Sequence, residues 1–357
     1  MVRIVRKALI PLILASFLAI SCQSSLEYRN PYGVSSVKLL DPEEPENTDP
    51  ENAQIDGHQS DRVVEQRPYS NSHFTFIDGA RIHFRWTQGD GGSGRYVLIH
   101  GFAASTYSYR FTIEHLKNQG HEILAIDLPG YGFSDRILEG SQSRFRRAQI
   151  VWQVIELISE PQDQKPWILV GHSMGGSVIS AMAQLRPDSV LYMVYLAGSV
   201  DGGPGWITRN AVSWIPGLQS LVIWYAESFK FDEESFNELL ESAYARPPEP
   251  EEVQGYLQPF LVSDTARSIL ASIENSGDER KLQLEEMNIP AILIWGAKDE
   301  WVDPKIGRKL HRDLQKSILY IIEDAGHCPM ETHPEKVHEI MDANDSVMRR
   351  LQNIQPD

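Results

Sequence analysis

The sequence predicts an α/β protein with a mostly parallel, doubly wound sheet and an inserted helical lid, and three observations predict it. Short runs that are apolar on both faces recur along the chain, separated by stretches with helical spacing. One run leads without interruption through Gly171-His172-Ser173-Met174-Gly175 into a helical pattern. The alternation is broken once, by a long segment from Gly198 to about Asn288 that holds Trp206, Trp214, Trp224 and Tyr225.

The body opens on His73–Ile77 and Arg81–Trp86 around Asp78-Gly79, a pair whose tolerance of positive φ makes it a hairpin turn. Buried-strand runs follow at Tyr96–Ile99, Ile123–Ile126, Trp167–Val170, Leu191–Leu196, Ala291–Trp295 and Ile318–Ile322. Helical stretches near 106–118, 143–159, 174–186, 304–315 and 334–351 lie between or after them, which gives the β-α order of a sheet covered on both faces. Right-handed crossovers then bring the loops after the strands to one edge, where ligand chemistry belongs. Inside the break, helices are expected around 232–245 and 250–274, separated by Pro247, Pro248 and Pro250. The aromatic residues of this segment either line a pocket or glue the segment to the core.

Four parts follow: residues 1–21 a signal peptide, 22–67 an acidic tether, 68–198 with 289–357 the catalytic core, and 199–288 the lid. Arg3, Arg6 and Lys7 precede an apolar stretch from Ala8 to Ile20, shorter than the roughly 20 residues that span a bilayer, so the pattern is that of an export signal. Leu18-Ala19-Ile20-Ser21-Cys22 is similar to a bacterial lipobox, with Leu18 one place earlier than usual, and implies lipidation of Cys22 and a membrane-anchored protein facing the periplasm or the cell exterior. The stretch that follows, with Pro42, Pro45 and Pro50 among many carboxylates, has no periodicity and reads as a tether. Hydrophobic residues at 41% can bury a sizeable core, while a net charge of −16 argues against nucleic acid as a partner. Cys22 and Cys328 are not expected to pair, one ending the leader and the other following a histidine of interest.

The chemistry rests on Ser173. In a strand-to-helix turn, Gly171 and Gly175 spare the tight bend two Cβ atoms, and the serine is strained outward at the sheet edge with a helix N-terminus aimed at the same spot. A serine hydroxyl needs a base and an acid to orient that base. Asp299 follows one late strand and His327 the next, so both belong on loops at the same edge. The backbone amides of Met174 and Phe102 are the expected oxyanion donors. His100 and His172 are read as shaping their loops, Asp127 as structural, and Cys328 as a packing residue.

These segments, His100-Gly101-Phe102, Asp127–Ser134, Gly171–Gly176, Trp295–Asp299 and Gly326-His327, together resemble the α/β-hydrolase superfamily from about residue 68 to 351. The resemblance implies cleavage of an ester, thioester, amide or carbon–carbon bond, with neither metal nor organic cofactor, on a small-molecule substrate with an apolar portion. A carboxylesterase-like serine hydrolase is the leading expectation. Acyl transfer, perhydrolysis and a surface-exposed binding protein on the same fold are the alternatives.

Overall fold

The computed structural model describes residues 67–92, 94–137, 139–160, 165–200, 233–275 and 280–352. The leader, the tether up to residue 66 and Cys22 lie outside them, as do Trp206, Trp214, Trp224 and Tyr225. Eight strands form one sheet: β1 (Ser72–Ile77), β2 (Ala80–Thr87), β3 (Arg95–Ile99), β4 (Glu122–Ile126), β5 (Trp167–His172), β6 (Val190–Leu196), β7 (Ala291–Gly296) and β8 (Ser317–Ile322), ordered β1-β2-β4-β3-β5-β6-β7-β8. The first two strands make the expected hairpin, Ile77 pairing with Ala80, and Asp78 and Gly79 take φ of 50° and 82°. That is the double positive-φ turn an Asp-Gly pair supplies without strain at its glycine. Strand β2 joins β4 antiparallel, and every pairing beyond that is parallel.

The two-faced burial follows from strand alternation. In β3, Val97 and Ile99 enter one apolar cluster and Tyr96 and Leu98 the other. The first cluster is closed by helices α2 (Arg144–Ile158), α3 (Gly175–Leu185) and α7 (Pro304–Asp313), through residues such as Trp152, Val178 and Leu310. The second is closed by α1 (Arg110–Asn118) and α9 (Pro334–Gln352), through Ile113, Leu116, Ile340 and Met341. Each helix thus lays an apolar stripe on a strand surface that is apolar over its whole width.

Within the break, three helices are described: α4 (Glu233–Tyr244), α5 (Pro250–Phe260) and α6 (Thr265–Glu274). The expected helix over 250–274 is two helices. Pro259 lacks the amide a continuing helix would use, and Asp264 adopts φ +62°, which turns the chain before α6. Pro250 opens α5 at a position where its missing amide costs nothing, and the Glu249 amide donates to Glu252 Oε2 at 2.8 Å. Phe236, Leu240 and Tyr244 of α4 and Val253 and Tyr256 of α5 join the second cluster, so both helices pack on the core.

Candidate active site

Strand β5 delivers Ser173 to the sheet edge. Its φ is +50°, the left-handed conformation that costs a non-glycine residue energy. The surroundings enforce it. A Cβ on Gly171 would meet the Gly175 carbonyl at 2.6 Å, and one on Gly175 would lie 2.3 Å from the Ile99 carbonyl. The Ser173 amide donates to the Leu196 carbonyl at 3.1 Å, and its own carbonyl accepts from Ser199 and Gly176 at 2.8 and 2.9 Å. Helix α3 then begins at Gly175, its amides facing the turn. The hydroxyl-bearing side chain is half-buried.

The two later loops meet as the sequence predicts. His327 Nδ1 donates to Asp299 Oδ2 at 2.9 Å, and both side chains are buried. The other carboxylate oxygen, Oδ1, accepts from the amides of Trp301 and Val302, each at 2.9 Å, so the acid is fixed from both sides. The Trp301 ring stacks on the His327 ring at 5.4 Å and 20°, and it fixes the imidazole plane. Among the described residues Ser173 Oγ is not hydrogen-bonded to His327. The elbow and the histidine loop are joined through His172, whose Nε2 donates to the His327 carbonyl at 3.0 Å. A serine–histidine contact of this kind commonly tightens when substrate arrives.

Phe102 and Met174 flank the serine from two directions. A Cβ on Gly101 would lie 3.1 Å from Ser173 Cβ, which brings the β3 loop against the elbow. Among the described residues no carbonyl accepts from the amide of Phe102 or of Met174. Both amides are thus without a carbonyl partner among the described residues. His100 is not a base: its Nδ1 donates to the Gly101 carbonyl at 2.7 Å, its Nε2 accepts from the Leu128 amide at 3.0 Å, and burial pushes its pKa down. Burial, with the neighbouring His327, drives that of His172 well down. Both imidazoles are neutral parts of the scaffold.

Asp127 is structural as read. Fully buried, it accepts from His83 Nδ1 at 2.7 Å and from the amides of Thr106 and Phe133 at 2.7 and 2.8 Å. Burial alone would raise its pKa, but His83 and these bonds outweigh burial and hold it below the ordinary value. Gly132, at φ +55°, exists because any Cβ would overlap this carboxylate at 2.1 Å.

Residues 97–334 match the profile of the α/β hydrolase fold. The chain is 30% identical over 266 residues to a protein of Bacillus subtilis (strain 168) named uncharacterized hydrolase YugF, covering 74% of this chain and 93% of that protein. This chain belongs to the α/β-hydrolase family. It is also 24% identical over 300 residues, 79% of this chain and 98% of the other, to a 2-hydroxy-6-oxononadienedioate/2-hydroxy-6-oxononatrienedioate hydrolase of Burkholderia vietnamiensis (strain G4 / LMG 22486). Among solved structures, a serine hydrolase involved in carbazole degradation superposes with a TM-score of 0.62 at 18% identity, over 77% of this chain and 98% of the other. That likeness is one of fold.

In this α/β-hydrolase the sequence reading missed a polar cluster behind the histidine loop. Glu331, on the short helix α8 (Pro329–Thr332), is buried and pairs with Arg110 of α1. It accepts from Tyr244 Oη at 2.8 Å and Tyr256 Oη at 2.5 Å, one from α4 and one from α5. Arg110 also reaches Glu252 of α5 at 3.1 Å. Cys328 lies buried beside this cluster, where burial and Glu331 push its thiol pKa well up, so it packs and does not attack. Nothing in the sequence links Arg110 to Glu331, because the partners are 221 positions apart on separate helices.

Proposed function

We propose that the protein is a serine hydrolase of the carboxylesterase kind, with Ser173 as nucleophile, His327 as general base and Asp299 as the acid that orients the histidine. The observation that carries the reading is the strained Ser173 backbone at the head of α3, facing a histidine loop whose imidazole is bonded to a doubly anchored carboxylate. In the first step His327 Nε2 takes the proton from Ser173 Oγ as the oxygen attacks the acyl carbonyl. The negative charge that develops there is received by the amides of Phe102 and Met174. His327 then gives its proton to the leaving alcohol, and an acyl-enzyme remains on Ser173. A water, deprotonated by the same imidazole, releases the acid and restores the hydroxyl. Asp299 keeps Nδ1 as the donor, which leaves Nε2 free to accept.

Helices α4–α6, with the rest of 199–288, act as the lid over this edge, and an apolar part of a small-molecule substrate is bound beneath it. Residues 1–21 direct export, and Cys22 carries a lipid that tethers the core through 22–67 to a membrane surface. The basis is the apolar run that ends at Cys22, and palmitate labelling lost in Cys22→Ala tests it.

The hydrolase reading is tested by a panel of p-nitrophenyl esters from acetate to long chains, run beside Ser173→Ala. Turnover lost by more than about 1,000-fold in a folded variant is the expected result. Wild-type turnover unaffected by the substitution would overturn the assignment of Ser173. A second reading, carbon–carbon bond cleavage by the same residues, is favoured by the name of the Burkholderia vietnamiensis relative. A folded wild type that labels at Ser173 with a fluorophosphonate yet cleaves no ester would select it.

A further inference from the structure

Two arginines of the described residues are almost fully buried, and they are treated differently. Arg95, 6% exposed, spends its whole guanidinium: Nε on Glu122 at 2.6 Å, Nη2 on Ser159 at 3.1 Å, Nη1 on the Lys165 carbonyl at 3.3 Å. Arg147, the fourth residue of α2 and 4% exposed, spends almost none of it. Its Nη1 lies 2.9 Å from Met174 Sδ, a weak acceptor, and its guanidinium carbon is 5.5 Å from the Tyr131 ring centre. Among the described residues, its Nε and Nη2 are buried and have no acceptor.

Those two nitrogens form the side-on edge of the guanidinium, the edge that holds both oxygens of one carboxylate in parallel hydrogen bonds. Burying it with no acceptor is costly, and buried charges are ordinarily paired. The place is also specific. Met174 follows the nucleophile, and Tyr131 packs edge-on against His100 at 5.5 Å and Phe102 at 6.0 Å. The guanidinium therefore touches the Met174 side chain directly and neighbours Phe102 through the Tyr131 ring.

We propose that Arg147 is the recognition residue for a carboxylate carried by the substrate itself, remote from the bond that is cut, so that the preferred substrates are half-esters or related monoanions of dicarboxylic acids. The inference rests on the reading of Ser173 as nucleophile for where the substrate lies. The carboxylate takes Nε and Nη2 as its two donors, and Nη1 keeps its contact with Met174 Sδ. Its charge compensates the guanidinium in the closed site. A neutral ester of the same length fills the same space and leaves the edge unpaired.

The test compares mono-p-nitrophenyl esters of dicarboxylic acids from succinate to suberate with their methyl-capped neutral counterparts, on the full chain and on Arg147→Met and Arg147→Lys. At one chain length the wild type is expected to favour the free carboxylate by at least about tenfold in kcat/KM, the order that one charge-assisted pair supplies. Arg147→Met is expected to erase that ratio, and Arg147→Lys to keep part of it. In parallel, binding of the monomethyl esters of the same acids to Ser173→Ala is measured by calorimetry, with and without Arg147→Met. Neutral esters cleaved as fast as the half-esters at every length would overturn the inference while the hydrolase reading stands. Monoanion binding that depends on Arg147 without any ester turnover would uphold it and sink the esterase reading. If Arg147→Met does not fold, the wild-type ratio and the Ser173→Ala binding decide alone, and an absent preference with no binding overturns the inference.

Discussion

The Ser173 elbow and the histidine loop lie at one edge of one sheet, yet they are built in opposite ways. The elbow is local. Within the span from Gly171 to Gly175, two glycines, a strand end and a helix start fix the Ser173 backbone, and the outside contacts are carbonyls of adjoining strands such as Ile99 and Leu196. The histidine loop is assembled from afar. The His327 amide donates to the Ala243 carbonyl at 2.7 Å, and Gly326 is glycine because a Cβ would stand 2.5 Å from that same oxygen. Trp301, which stacks on His327, donates through Nε1 to Ser242 Oγ at 3.1 Å. The end of helix α4 is thus the floor on which the histidine rests. A short motif can specify a strained turn, whereas a histidine held at a set height needs a second layer of the protein.

The largest expected effect comes from breaking the local half. In Gly175→Ala the new methyl would sit 2.3 Å from the Ile99 carbonyl and 2.9 Å from that of His100, both backbone atoms at the end of β3. Neither can swing aside as a side chain would, so the strand or the helix must move. A loss of at least about 3 kcal/mol of stability is expected, with fluorophosphonate labelling of Ser173 abolished. Urea unfolding and labelling on one preparation check it. A variant with wild-type labelling would mean that the turn is not fixed by this contact.

That contrast also explains what could be read in advance. The sheet, its hairpin and the five core helices were legible because apolar period and turn chemistry are properties of neighbours in the chain. The strained turn at Ser173 was legible for the same reason, and the meeting of Asp299 with His327 because each follows a strand that ends at the edge. The single helix expected over 250–274 failed at Asp264, since a left-handed turn in an aspartate leaves little trace in the hydrophobic pattern. The Arg110–Glu331–Tyr244–Tyr256 cluster and the open edge of Arg147 left no trace at all. Their meaning lies in who stands beside them in space, and an arginine in a helix sequence reads the same whether it is paired or not.

The distant half is broken by Glu331→Gln. The amide keeps the shape of the carboxylate but opposes Arg110 with no charge, while Arg110 retains Glu252 at 3.1 Å. Because that second partner remains and Arg110 is partly exposed, the cost is set at about 2–3 kcal/mol, below the full loss on breaking a buried pair. The result that would sharpen the comparison is a fall in kcat beyond the fall in stability, with KM little changed, as α4 loosens under His327. Equal losses from thermal unfolding and none in kcat at low temperature would make the cluster a clamp with no bearing on the base.

The smallest effect tests the one side chain that joins the two halves. His172 belongs to the elbow, but its Nε2 donates to the His327 carbonyl, and its ring lies 4.8 Å from that of His327. Burial lowers its pKa well below the ordinary value and lowers that of His100 too, so both stay neutral in the folded chain. The unfolded chain protonates both as pH falls through about 6.5 and so binds more protons than the folded one. The stability these residues contribute is therefore complete above that pH and is lost below it, at up to about 1.4 kcal/mol per pH unit for each histidine. Urea midpoints measured from pH 7.5 down to 5.5 should show the decline, and His172→Gln should reduce its slope by the share of one proton. An unchanged slope in that variant would mean that the bridge between the halves carries no penalty for charge. The link from elbow to histidine loop would then be one of shape alone.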